Sequence, residues 1–263
     1  MTSAAGKRTA PIHKKTYFGA SRTWDTWNKL TASDVFALTE EPGFEGQNIY
    51  FYNNHPIRYV YLCGIVQQVD LAPGAGANKF ALLSLDDGSG QTIEVKIARR
   101  YGPDVDGEVY PSNTVVDNLN VNATWGLASL SIDGRPIPIG AILKIKGTIT
   151  KFRQRQIDLK RVFAVRDTNE EVAFWAATAK HRREVLSRPW LLTDAEMRAI
   201  DNEIEVEEQK ERQRKSERKA KYVKYEERKA KNDEKRERSR KKVQDLLDEG
   251  ALAGSNIIKA PWE

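Results

Sequence analysis

The stretch from Phe44 to Ile97 constrains this chain most. Two strongly strand-like runs bracket the turn Asp86-Asp87-Gly88-Ser89-Gly90 and close on the alternation Ile93-Glu94-Val95-Lys96-Ile97. In the first run Pro56 opens a mainly apolar series from Ile57 to Val66, so both faces of that strand must be covered. Gly64 sits in its middle. A glycine inside so apolar a strand marks a bulge or a sharp coil, which lets one long strand serve both halves of a small closed barrel.

The rest of the chain supplies the partners for such a strand. Strand one runs on to Asp70, and Pro73-Gly74-Ala75-Gly76 reads as a hairpin loop. Strand two is expected at Lys79–Leu85 and strand three at Gln91–Ile97. Residues 98–139 read as a long polar excursion ending in the hairpin-like Ser131-Ile132-Asp133-Gly134-Arg135. Gly140–Thr150 is strand four, with Leu143, Ile145 and Ile149 on one face and Lys144, Lys146 and Thr148 on the other. Ile157–Val165 is strand five. Five strands with this curl are what an oligonucleotide/oligosaccharide-binding (OB) barrel requires.

Before the barrel, Met1 to about Arg22 reads as a polar, basic, disordered lead. Trp24 to Leu38 suggests a short helix starting at Ser33-Asp34. After the barrel the period changes from two to 3.6. Thr168 and Glu171 suggest a capping box for a helix carrying Val172, Trp175, Ala176, Ala179 and Leu186 on one apolar stripe, closed by Pro189. Since the barrel is already closed, part of that stripe is left for another surface. Thr193 and Glu196 suggest a second capping box, and no Gly or Pro intervenes until Gly250. Glu-to-Lys/Arg pairs four apart, such as Glu208/Arg212, Glu211/Lys215 and Glu234/Arg238, support a helix with no core behind it at ~0.2–0.5 kcal/mol each. The expected class is therefore mainly β plus α: a five-stranded OB barrel with a C-terminal helix (residues 23–190), followed by a long charged helix and short tail (191–263).

Composition narrows the function. The 263 residues are 40% hydrophobic with a mean hydropathy of −0.63, and no apolar run approaches membrane-spanning length or the centre of a signal peptide. One cysteine, Cys63, and three histidines offer no metal-ligand spacing, and Cys63 reads as a small buried hydrophobe. His55 reads as a strand-opening residue and His181 as a helix-surface residue. The glycines of the 73–76 loop lack the Lys-Ser/Thr ending of a phosphate loop and join strand to strand. No catalytic constellation is present, so the expectation is a binding protein with no cofactor. The net charge of +6 is concentrated: residues 201–242 hold 17 Lys/Arg and 12 Asp/Glu, leaving 26 against 25 elsewhere. Any nucleic-acid site on the barrel must therefore be a local groove. Within the charged helix, acids are expected to neutralise bases a turn or two away.

Read together, Gly43-Phe44-Glu45-Gly46-Gln47-Asn48-Ile49-Tyr50-Phe51, Asn54-His55-Pro56-Ile57-Arg58-Tyr59-Val60 and the Asp86 to Gly90 turn followed by Ile93-Glu94 carry a resemblance. From about Trp24 to Trp190 the chain resembles the fungal middle subunit of the CST telomere-capping complex, itself similar to the middle subunit of replication protein A. That resemblance implies a nuclear protein of chromosome ends. It also implies a small OB-fold (Ten-type) partner, a third large subunit and single-stranded telomeric DNA as ligand.

The residues add candidates. The hairpin between strands four and five, Thr150 to Gln156, supplies cations and an aromatic, and Lys144 and Lys146 extend its basic face. By similarity Phe152, Arg153 and Arg155 are nucleic-acid candidates, joined by Lys96, Arg99 and Tyr101 at the end of strand three. The stripe Val172, Trp175, Ala176, Ala179 and Leu186 is the expected partner contact. Two departures from the family stand out. Relatives can carry a stacking aromatic near the end of strand three, where this chain has Lys96-Ile97-Ala98-Arg99-Arg100, and many end in winged-helix domains, where this chain has the charged helix. The competing reading is an assembly module that binds protein partners without touching DNA.

Overall fold

Strand β4, Tyr59–Leu71, is the long strand around which the barrel closes. The computed structural model describes residues 10–72, 79–100, 112–124 and 127–250, without side chains for 123, 124 and 246–250. The chain divides into two units, one through Leu192 and one from Thr193.

In the first unit, β4 pairs with β5 (Phe80–Asp86), β5 with β6 (Thr92–Ala98), β6 in parallel with β11 (Gln154–Ala164), β11 with β10 (Ile142–Phe152), and β10 back with β4. Every strand has two neighbours, so the five-stranded OB barrel is closed. Alternation sets the interior: Val60 and Leu62, Ala81, Leu83 and Leu85, Ile93, Val95 and Ile97, Leu143, Ile145 and Ile149, and Ile157 and Leu159 are all buried.

Gly64 does a different job from the one its sequence suggests. The β4 bulge falls between Val66 and Gln68, whereas a Cβ at Gly64 would sit 2.8 Å from the Asp86 carbonyl oxygen. Gly64 permits two strands to approach; Gln67 supplies the extra residue that curls β4. Gly147 of β10 faces the matching irregularity, whose extra residue is Lys160 of β11, and a Cβ on it would stand 2.6 Å from the Asp158 carbonyl oxygen.

The Asp86 to Gly90 turn caps a helix as well as joining β5 to β6. Asp86 Oδ1 accepts from the Gly88 amide at 2.8 Å and Asp87 Oδ1 from the Ser89 amide at 3.0 Å, which shapes the loop. Asp87 Oδ2 and Ser89 Oγ then accept from the Ala32 and Ser33 amides of α1, Ala32–Ala37, at 2.6 and 3.0 Å. Two of the helix's orphan donors are satisfied from the barrel, and a Thr31–Asp34 capping box satisfies more. The cap is Thr31, two residues before the expected start. The short strand β1, Asn28–Lys29, leads into it alongside β4.

Two expectations fail. Residues 10–22 are not a disordered lead: a 3-10 turn at Lys15–Ala20 buries Phe18 completely against Trp24, Phe44, Phe51 and Trp190. Two aromatics, Tyr17 and Phe18, are enough to anchor a segment that averages as polar. The excursion after strand three is not merely polar loop either. It contains a meander of β7 (Leu119–Thr124), β8 (Leu127–Ile132) and β9 (Arg135–Ile137), whose Leu119, Val121, Leu130 and Ile132 join the main core. Strands β2 (Tyr50–Tyr52) and β3 (His55–Ile57) form a separate hairpin.

Helix α2, Thr168–His181, is capped by Asp167, whose side chain accepts from the Glu170 amide at 2.8 Å, one residue earlier than expected. It lies over β1 and β4 with Phe174 edge-on to Tyr61 at 4.9 Å. A π-helical turn at Arg182–Leu186 then swings Leu186 into the core. The following residues are clamped by the Asn53-Asn54-His55 turn. Asn53 donates to the Leu186 carbonyl at 2.8 Å, Asn54 donates to the Trp190 carbonyl at 2.6 Å and accepts from its amide at 2.8 Å, and His55 Nε2 bonds the Arg188 carbonyl at 2.7 Å.

The second unit is helix α3, Asp194–Gly250, opened by Thr193, whose hydroxyl and amide both meet Glu196. Its side chains are exposed almost throughout, and the pairs Glu208/Arg212, Glu211/Lys215 and Glu234/Arg238 close at 3.4, 2.7 and 2.7 Å.

Candidate nucleic-acid groove and partner face

The outer faces of β5 and β6, with the β10–β11 hairpin above them, enclose a groove of about 870 Å³. Alternation puts its lining there: with Ala81, Leu83, Val95 and Ile97 turned inward, Phe80, Leu82, Glu94 and Lys96 turn outward. Thr150, Lys151, Phe152, Arg153, Gln154 and Gln156 complete the wall. At the tip Phe152 is 66% exposed, with the Arg153 guanidinium 5.8 Å from its ring. Arg153 adopts φ 61°, a left-handed conformation that a branched or long side chain holds at a cost of roughly 1–2 kcal/mol.

The eight candidate residues do not form one site. Lys96, Phe152 and Arg153 line the groove. Lys144 points to α2, where it pairs with Glu170; burial works against its charge, yet the Glu170 hydrogen bond leaves its pKa raised. Lys146 lies on the outer face against aromatic rings, 4.7 Å from Tyr61 and 5.7 Å from Trp27. Burial, then the charges of Arg161, Lys29 and Lys144, lower its pKa. Arg155 is a structural residue: its guanidinium donates to the Val35 and Phe36 carbonyls at 3.0 and 2.5 Å, closing the C-terminus of α1, and stacks 5.1 Å over Tyr50. Arg99 sits where an isolated bridge joins it to Thr114, and Tyr101 lies outside the described residues. Alternation along β10 and β11 shows that Lys144 and Lys146 share a face. Only the barrel's closure reveals that this face is covered by α2 and Trp27.

One groove residue escaped sequence reasoning. Phe80 on β5 is the cross-strand partner of Ala98, so β5 supplies the aromatic that the end of β6 lacks. Lys96 Nζ lies 5.1 Å from the Phe80 ring and 3.5 Å from Asp158. Lys151 pairs with Glu40 at 2.7 Å, and Glu94 bonds Gln156. Lys96 and Lys151 are thus paired within the chain, Phe80 carries the Lys96 ammonium over its ring, and Phe152 stays exposed at the tip.

The expected partner stripe also separates. Leu186 is fully buried, so it belongs to the core. The inward face of α2 is Glu171, Phe174 and Thr178, whereas Val172 and Trp175 are 50% and 49% exposed and Ala176 and Ala179 share their face. Beside Trp175 a largely apolar cleft of about 430 Å³ runs past Thr31, Asp87 and Arg182. The wrong residue was included because the π turn breaks the 3.6 period between Ala179 and Leu186.

Cys63 is buried and His181 partly so. Burial pushes the Cys63 thiol up to about 12. His181 is half-buried rather than a surface residue; burial, then Lys29 and His55, hold its pKa down. Among the described residues no cluster of three or more His, Cys, Asp or Glu could hold a metal ion, and no helix is long and apolar enough to cross a membrane.

The family model described as telomere regulation protein Stn1 matches residues 7–101, spanning the N-terminal turn, α1 and barrel strands β4 to β6. Residues 7–101 carry the Stn1 family signature. The resemblance seen in the Phe44–Ile97 motifs is therefore to this family. Among solved structures, yeast Stn1 and Ten1 share 16% identity over 73% of this chain and 91% of that one, with a TM-score of 0.51. The S. pombe Stn1–Ten1 complex gives 17% over 62% and 95%, TM-score 0.41. A replication protein A heterotrimer bound to single-stranded DNA gives 15% over 61% and 98%, TM-score 0.40. At these identities the likeness to yeast Stn1 is one of fold. No curated protein matches.

Proposed function

We propose that this chain is a non-enzymatic telomere-capping subunit that pairs with a small OB-fold partner through α2 and holds single-stranded telomeric DNA in the β5–β6 groove. Its place is the nucleus, at chromosome ends, with a third, larger subunit completing the complex. The observation that carries the reading is the exposed apolar face Val172, Trp175, Ala176 and Ala179 on a helix whose other face is already seated on a closed barrel. Apolar surface of this kind marks an interaction site. The groove adds two stacking rings, Phe80 and Phe152, and a cation held in a strained conformation at the hairpin tip, where stored strain is a mark of function.

Co-expression with a small OB-fold partner, then single-strand binding across salt, tests both parts. Phe152→Ala with Arg153→Gly keeps the hairpin, since Gly accepts the left-handed turn, and is expected to weaken binding by ~1–3 kcal/mol for the lost stack. Unchanged affinity removes the groove from the reading. The pairing of Lys96 with Asp158 and of Lys151 with Glu40, beside a Glu94 carboxylate held only by the Gln156 amide, favours the second reading, a module that binds only protein. Normal heterodimer formation with no strand binding at low salt would select it.

A further inference from the structure

The charges of α3 pair locally, as at Glu234/Arg238, yet their net balance is segregated along the helix. From Asp194 to Glu211 there are eight acids and two bases; from Arg212 to Lys242 there are sixteen bases and six acids, a balance of +10. The macrodipole favours acids near the start and bases near the end, but it acts only within the first and last turns and cannot account for a basic segment of 31 residues.

The bases are also ordered around the axis. Between Lys221 and Lys242 the positions alternately three and four residues apart are Lys224, Arg228, Lys231, Lys235 and Arg238, with no acid among them. Side chains at this spacing share one helical face, here about 32 Å long at ~1.5 Å per residue. All of these side chains are exposed. The acids fall at Glu226, Glu227, Asp233, Glu234 and Glu237, off this stripe, and Glu234 reaches Arg238 from its flank.

We infer that the distal part of α3, Lys221 to Lys242, is a docking face for the phosphate backbone of single-stranded DNA. The inference extends the proposed function to a second site. A stripe in the positions a coiled coil would fill with apolar residues repels a second copy of itself. A membrane surface needs an apolar face opposite the charge, and the residues here are polar all round. Nucleic acid is the polyanion whose evenly spaced charges match such a row of cations. A straight helix leaves the curving groove of a duplex, whose full turn is ~34 Å, well before a stripe of this length ends. A flexible strand can follow it. Tyr225, 64% exposed and one residue past Lys224, flanks the start of the stripe and offers a ring on which an unpaired base stacks.

The test uses the full chain and a fluorescent oligo-dT strand of about 20 nucleotides, with anisotropy read across salt. Replacing Lys224, Lys231, Lys235 and Arg238 together by Gln, a good helix former, should lower the salt slope by ~0.7 per lost contact, up to ~2.8. The charge-keeping set Lys224→Arg, Lys231→Arg, Lys235→Arg and Arg238→Lys should restore the slope, and circular dichroism should show equal helicity in all three proteins. An unchanged slope in the Gln set overturns the inference, as does tighter binding of a duplex of equal length. The Phe152→Ala/Arg153→Gly protein reads the groove separately: if its affinity is unchanged while the Gln set loses slope, the rod stands and the groove falls.

Discussion

Replacing Trp175 by Ala separates an interface from a core. In the isolated chain 49% of Trp175 is exposed. Of the ~250 Å² a Trp side chain can bury, about 120 Å² is therefore left for a partner. At ~25 cal/mol per Å² that surface is worth about 3 kcal/mol, or roughly a 150-fold change in association. Trp175→Ala should accordingly weaken heterodimerisation with the small OB-fold partner by ~2–3 kcal/mol, a typical hot-spot loss, while shifting the thermal midpoint of the isolated chain only slightly. Leu186→Ala provides the contrast: fully buried, it should cost ~2–5 kcal/mol of stability. Titration calorimetry of the pair and thermal unfolding of each chain give both quantities. If Trp175→Ala lowers stability as Leu186→Ala does while the heterodimer forms normally, the exposed face of α2 is not the interface.

Gly64→Ala should destabilise the barrel by ~1–3 kcal/mol, because its new Cβ meets backbone atoms of Asp86 at 2.8 and 3.0 Å; an unaltered denaturation midpoint would show that β4 and β5 separate freely. Arg155→Ala should cost about 1–3 kcal/mol through the orphaned carbonyls of α1, and should leave the salt slope of strand binding unchanged, whereas a lowered slope would return Arg155 to the DNA site. Burial holds the imidazoles of His55 and His181 below their ordinary value in the fold. The unfolded chain therefore binds more protons, and the stability of the neutral rings, full above about pH 6.5, is lost as pH falls through the folded values. The thermal midpoint should decline from about pH 7.5 to about pH 5.5, and less so in His181→Gln; a flat profile in the parent protein refutes it.

By itself the sequence determined the five barrel strands, because each reads either as an alternation with period two, as in strands three and four, or as an apolar run bounded by turn residues, as in strand one. It determined α3 too, since a run of helix formers with Thr193/Glu196 at its head needs no tertiary contact to be recognised. Lys96, Phe152 and Arg153, candidates from the composition of the hairpin and from the family resemblance, do line the groove. What the tertiary structure decided depends on long-range closure. Arg155 and Arg153 are two residues apart and chemically equal, yet one closes α1 and the other rims the groove, because the barrel brings Val35 and Phe36 to the first alone. Phe80 became a groove residue only when β5 was set beside β6. Phe18 became core only when Trp190, held by Asn54, was folded back over it. Pattern reports which way a side chain turns relative to its own strand or helix, and only the packed chain reports what stands opposite.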